Sequence, residues 1–300
     1  MSFSSIASML EAAKSADKPL YTVICEDDCQ ENNYTEEASH RQIQTLWEAM
    51  QQSSKQYCAS DRSNSGFIGG DAEKLRLAAQ AGALIGGTYL LRVIEEALKV
   101  AECNACMKRI VAAPTAGSCG VLPAVLLPLT EEKQLDTEMI LQALYIAAGF
   151  GQVTAIRANV AGAEGGCQAE IGTASAMAAA ALTHILGGTA EQCAHAFAMS
   201  LGNLLGLICD PVAGLVEIPC VKRNVVGAVN AVSAANMALA GITSHIPADE
   251  VIDTMGEVGD TLPASLRETG LGGLAATPTG KKITEQVLHH EQVLHHEQLL

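Results

Sequence analysis

Three hundred residues with 33 acidic against 18 basic side chains carry a formal net charge of −15, which repels phosphate backbones and argues against a nucleic-acid partner. Apolar residues make up 49% of the chain but aromatics only 3%, so the core must be built from Ala, Leu, Val, Ile and Met, a composition suited to closely packed helices. The N-terminus lacks the basic start and long apolar run of a signal peptide, and ten cysteines in such a chain argue against a disulfide framework, because the cytosol keeps thiols reduced.

"MSFSSIASMLEAAKSADKP" reads as a short amphipathic helix ending near Pro19. Residues 20–37, "LYTVICEDDCQENNYTEE", begin apolar and become acidic, and read as a linker or surface loop before a helix over 38–57. "SDRSNSGFIGGDAEKL" is a Ser/Gly loop that opens a helix at about Asp71. Helical patterns follow over 72–103, 118–129, 136–149, 168–187, 190–205, 224–241 and 248–259. Between them sit "APTAGSCG", "NVAGAEGGC", "CDPVAGLVEIPC" and "PASLRETGLGGLAATPTGKK", while strict period-2 strand patterns are scarce. The most apolar stretches, "IGTASAMAAAALTHILGG" and "LGNLLGLICDPVAGLV", are interrupted too often by polar residues to span a lipid core, so they read as buried helices. A cytoplasmic protein without membrane contact is expected.

The expected fold is all-α: a single helical domain whose Gly-rich loops converge on one site. Residues 1–59 form an N-terminal helical and acidic segment packing on the core, 60–282 the helical catalytic domain, and 283–300 a low-complexity His-rich tail. The paired histidines of "VLHHEQVLHHEQLL" suggest metal affinity, but a frayed helical extension without chemistry is the reading kept.

"CDPVAGLVEIPC" places Cys209 and Cys220 at the two ends of a loop whose Asp210-Pro211, Gly214 and Pro219 break any regular element. Cys167, after "GAEGG", sits at a similar junction of loop and helix, where backbone amides are free to donate to a thiolate. Cys103 and Cys106 of "CNAC" have no second pair at zinc-finger spacing, and a separation of three on a helix suits two buried thiols. Cys25, Cys29 and Cys58 lie in the polar N-terminal third, Cys193 lies mid-helix, and Cys119, in a Gly-rich loop, is not excluded by context. Three thiolates without a fourth suit an iron–sulfur cluster with one open iron able to act as a Lewis acid. Packing is the alternative for each of them, because free cysteine is among the most buried residue types.

The loops offer places for an anionic substrate. Thr115, Gly117 and Ser118 precede an apolar helix, where free amides and hydroxyls suit a carboxylate, or merely cap the helix. Ser63, Ser65 and Gly66 carry the same ambiguity. Lys222, Arg223 and Asn224 follow Cys220 and either steer an anion or offset the acidic surface. Glu164, three residues before Cys167, is an acid–base candidate or an ion-pair partner, and Lys222 is the second such candidate.

These motifs resemble the alpha chain of bacterial iron–sulfur-dependent L-serine dehydratase (L-serine ammonia-lyase). The resemblance runs from "SSIASMLEAAK" to "GGLAATPTGKK" and is most specific in "RSNSGFIGGDAEKL", "APTAGSCGVLPAV", "GAEGGCQAEIGTASAMAAAAL" and "LLGLICDPVAGLVEIPCVKRN". It implies a [4Fe-4S] cluster held by Cys167, Cys209 and Cys220, with the fourth iron binding L-serine and no pyridoxal phosphate. It also implies a separate beta chain, because the family's "SSHT" segment with its catalytic histidine is absent here; His184 and His195, set in Ala-rich helices, are poor replacements. Cys103 and Cys106 stand where the family usually has small or Ser-like residues, and keep no assigned role. A related L-cysteine desulfidase and a non-catalytic iron–sulfur subunit are the competing readings.

Overall fold

This computed structural model describes residues 3–297, and among them there are thirteen α-helices and no strand. They are α1 (Ile6–Ala16), α2 (Leu20–Asn32), α3 (Glu36–Lys55), α4 (Asp71–Gln80), α5 (Gly87–Ala105), α6 (Val121–Lys133) and α7 (Thr137–Arg157). After these come α8 (Gly162–Gly165), α9 (Thr173–Ile185), α10 (Ala190–Gly202), α11 (Cys220–Leu239), α12 (Ala248–Thr261) and α13 (Pro278–Glu297). Several starts are written in the sequence: Ser5, Thr35, Asp136 and Thr189 each accept a first-turn backbone N–H, satisfying a donor that the helix itself leaves free.

Helix α9 is the centre. Ala174, Ala176, Ala178, Ala179, Ala180 and Ala181 are all fully buried, and the helix is enclosed by α6, α7, α10 and α11. A helix apolar all round has to be buried, and methyl side chains let four neighbours approach it closely. Helix α7 is long and apolar enough to cross a membrane by length and composition, yet most of its apolar stretch is buried inside the protein, against α2, α3 and α9.

The all-α expectation holds, with three local differences. Residues 20–32, read as linker, form α2, because Leu20, Val23, Ile24 and Cys25 supply a short buried face; Ile24 rests where a Cβ on Gly149 of α7 would stand only 2.8 Å away. The pattern over 72–103 is two helices, divided around Gly82, Gly86 and Gly87, all with positive φ. The expected tail is part of α13, which starts at Pro278 and carries the tandem hexapeptide as far as Glu297; residues 298–300 lie outside the described ones. The N-terminal segment is tied to the distant end of the chain, since Asp249 accepts from the N–H groups of Ile6 (2.8 Å) and Ala7 (3.0 Å).

Candidate metal centre

Cys167 follows Gly166, whose φ of 75° is open to glycine and whose Cβ, were there one, would meet Leu262 and Leu207 at 2.7 and 3.0 Å. The chain then makes a π-helical turn over Gln168–Gly172 before entering α9, a local over-widening that is frequent at functional sites. Gln168 is fully buried and acts as a clamp. Its backbone N–H donates to Leu207 O (2.9 Å), its amide donates to Gly165 O (2.9 Å) and Met255 O (3.1 Å), and its Oε1 accepts from Gly206 N–H (2.8 Å). The segment ending in Cys209 is thereby held beside Cys167. Cys209 is fixed on its other side, donating to Leu266 O (2.9 Å) and accepting from Glu268 N–H (2.7 Å).

One ligand atom from each of Cys167, Glu170 and Cys209 falls within 4.8 Å of the others. Cys220, the first residue of α11, is buried nearby but stands outside that tight set. Burial and then the charge of Cys167 push its thiol up to about 12. The Cys209 thiol donates to Cys167, so Cys167 is held below the usual thiol range while Cys209 is pushed above it. Glu170 is raised by burial, against the hydrogen bond it accepts from Thr115 Oγ1 at 2.7 Å. Anionic groups gathered out of water call for a positive partner.

Arg223 supplies one such charge, acting on Cys167. Its guanidinium also donates to Ile208 O (2.9 Å) and to Asp210 Oδ1 (2.6 Å), and the Asp210 carboxylate is almost fully buried. The second Asp210 oxygen accepts from Leu274 N–H at 2.6 Å. Gly273, with φ 58°, makes this approach possible, since a Cβ there would stand 2.3 Å from Asp210 Oδ2. Arg223 and Asp210 therefore pin both the cysteine loop and the 264–277 segment to α11. Asn224 is committed elsewhere: its Oδ1 accepts from Gly120 N–H (2.8 Å) and its amide donates to Gly117 O (2.8 Å) and Cys220 O (3.0 Å). Asn224→Ala leaves the Gly120 N–H buried without a partner, and a loss of about 1–3 kcal/mol is expected in denaturant unfolding.

The remaining predicted site residues divide. Thr115 reaches the set through Glu170, and Gly117 stands beside it, a Cβ there lying 3.3 Å from Glu170 Oε1. Ser118 is buried and bonds back to Ala113 O (3.3 Å) and Thr115 O (3.2 Å). Ser63 and Ser65 share a 3.0 Å hydrogen bond, Ser65 donates to Glu217 of the cysteine loop, and Gly66 N–H donates to Ser63 O (2.8 Å). Glu164 is exposed and held by Asn159. Lys222 is 66% exposed and pairs with Asp71 at 3.3 Å, on the side of α4. The structure brings neither of these two acid–base candidates into the thiol set; Glu164 is held by Asn159 and Lys222 by Asp71. Cys103 and Cys106 also lie outside it, at the end of α5.

All ten cysteines are free thiols, so Cys167 and Cys209 are adjacent without being bonded. A Cβ on Gly162 would stand 2.5 Å from Glu170 Oε2 and 3.1 Å from Cys209 Sγ; only a residue without a side chain lets the backbone cradle both ligand atoms this closely. Two buried sulfur donors and one largely buried carboxylate, with Arg223 as the neighbouring cation, fit a metal ion or cluster.

The family described as serine dehydratase alpha chain matches residues 8–275. The chain is 45% identical over 285 residues, 95% of each chain, to a probable L-serine dehydratase alpha chain of Bacillus subtilis (strain 168). It is 45% identical over 270 residues, 90% of this chain and 92% of the other, to the L-serine dehydratase alpha chain of Peptoniphilus asaccharolyticus. To L-serine dehydratase 1 of Escherichia coli (strain K12) it is 44% identical over 181 residues, 60% of this chain but only 40% of that protein. The family match runs through both cysteine-bearing segments and every loop that hydrogen-bonds to them, and the chain belongs to the serine dehydratase alpha-chain family.

Proposed function

We propose that this chain is the catalytic subunit of an L-serine dehydratase, converting L-serine to pyruvate and ammonia. The observation that carries the reading is the buried set of Cys167, Glu170 and Cys209 in a chain that shares 45% identity with L-serine dehydratase alpha chains over nearly its whole length.

Cys167, Cys209 and Cys220 would hold a [4Fe-4S] cluster. The position of Cys220 outside the tight set suits a group larger than one ion, able to reach all three thiols. Such a cluster, bound with one iron free of cysteine, supplies a Lewis acid for the substrate's oxygens. Arg223 balances the negative charge at Cys167 and anchors the ligand-bearing loop through Asp210. Thr115 fixes Glu170 by its hydrogen bond, and Gly117 and Gly162 let the backbone pack closely against that carboxylate and hold it in place. Loss of the α-proton and of the β-hydroxyl as water gives 2-aminoacrylate, whose imine tautomer takes up water to release pyruvate and ammonia. No pyridoxal phosphate takes part in this reading.

A second chain is part of the proposal. The relatives above are named alpha chains, and the Escherichia coli protein extends well beyond the region this chain matches. The set contains no histidine, and Glu164 and Lys222 face other partners. The beta chain therefore supplies the group that removes the α-proton. A soluble cytoplasmic enzyme agrees with the burial of α7.

The test is pyruvate release by the anaerobically reconstituted chain together with its beta chain, offered L-serine and L-cysteine in parallel. L-Serine is expected to be turned over with the higher kcat/KM. Preferential release of sulfide from L-cysteine would assign the site to a desulfidase instead, and cluster uptake without either elimination would assign it to a non-catalytic carrier.

A further inference from the structure

Glu170 lies three residues after Cys167, and one of its carboxylate oxygens lies within 4.8 Å of both the Cys167 and Cys209 sulfurs. It is the one carboxylate between Gly165 and Leu186, a stretch otherwise free of Asp, Glu, Lys and Arg. Burying a carboxylate is costly unless a positive charge or strong donors repay it. Here Arg223 is the neighbouring cation acting on it, and that guanidinium is already bound to Asp210. Thr115 Oγ1 donates to one carboxylate oxygen at 2.7 Å. Gly162 and Gly117 approach the two oxygens so closely that side chains on either would collide with or crowd them. The fold thus spends a threonine hydrogen bond, a backbone donor from Gly162 and two close glycines on orienting one carboxylate at the thiols.

We propose that Glu170 is the fourth protein ligand of the metal group, holding through a carboxylate oxygen the iron that no cysteine binds while substrate is absent. The assignment rests on the cluster reading above and deepens it. Carboxylate is a harder donor than thiolate and suits a site that must exchange ligands: it protects the fourth iron in the resting enzyme and yields its position to a substrate oxygen. Thr115 is then a positioning residue, acting on the iron through Glu170, and its hydroxyl is not free to bind substrate.

The experiment is iron and sulfide analysis with Mössbauer and low-temperature EPR spectroscopy on anaerobically reconstituted protein without substrate, before and after brief ferricyanide oxidation. Wild type, Glu170→Ala, Glu170→Gln and Thr115→Val are compared. After oxidation Glu170→Ala is expected to lose about a quarter of its iron, one in four, and to show the EPR signal of a three-iron cluster, while wild type keeps four. Glu170→Gln retains a side chain that can accept the Thr115 bond but no anionic ligand, and is expected to show the same loss in milder form. Thr115→Val is expected to fall between Glu170→Gln and wild type. Four irons retained in Glu170→Ala, with an unchanged Mössbauer spectrum, would overturn the assignment while leaving the cluster in place. Loss of all iron in both Glu170 variants would mark a structural residue and overturn it as well. A wild-type protein that takes up no cluster would instead remove the cofactor reading on which the assignment stands.

Discussion

Cys209→Ser is expected to lower L-serine dehydration, measured anaerobically with the beta chain present, by far more than the 10–100-fold that loss of an outer-shell partner costs. Cys209 lies at the one point where three tethers meet. Its backbone is bonded to Leu266 and Glu268, its thiol to Cys167, and its sulfur stands in the same set as the Glu170 carboxylate. Serine keeps the size but replaces a soft thiolate with a hydroxyl that does not ionise near neutral pH, so one corner of the metal group loses its ligand. Cys193→Ser is the control: its thiol is equally buried but packs with α1, α2 and α12, away from the site. It is expected to reduce stability slightly and kcat little. Comparable activity losses in the two variants would show that the effect at Cys209 is one of packing.

Asp210→Asn is expected to cost about 3–5 kcal/mol of unfolding free energy, the typical penalty for stripping one partner from a buried ion pair. For a chain of this size that is a fall in Tm of roughly 5–8 °C. Asp210 and Arg223 are 2.6 Å apart with side-chain exposures of 2% and 12%, so Arg223, though still facing Cys167, loses its hydrogen-bonded carboxylate with little solvent to replace it. The amide can still accept from Leu274 N–H, which isolates the electrostatic part of the loss from the loop contact. The double variant Asp210→Asn with Arg223→Met is expected to recover much of it, because removing both charges avoids the uncompensated one. If Asp210→Asn alone costs under about 1 kcal/mol, the pair is not holding the loop.

Much of the fold was legible because it rests on composition and on local signals. An Ala-rich, aromatic-poor chain without period-2 patterns packs as helices, and the Thr189 cap with Gln192 begins α10 as the sequence suggests. Helix α2 was hidden because four acidic residues follow the four buried apolar ones that fix it; tertiary contact with α7, not local pattern, decides it. At the site, the loop-to-helix contexts of Cys167, Cys209 and Cys220 are visible in sequence. Glu170 is not, because an acid in a helical stretch ordinarily reads as solvent-facing; the available signal was its isolation in an otherwise uncharged run. Gln168 and Asp210 were equally hidden. Their work is done through partners 38 to 87 residues away, Gly206, Met255 and Leu274 among them, and no short motif records such distances. Glu164 and Lys222 looked chemical by proximity in sequence, but Glu164 faces solvent and Lys222 turns toward α4.

Cys167, Cys209 and Cys220 are proposed to hold one iron–sulfur cluster. The most direct measurement is iron and sulfide content after anaerobic reconstitution, on wild type beside single Ser substitutions at Cys167, Cys209, Cys220 and Cys103. About four irons and four sulfides in wild type and in Cys103→Ser, with both largely lost in the other three variants, is the predicted result. A wild-type chain that takes up no cluster, or one that loses it equally when Cys103 is replaced, would contradict the account.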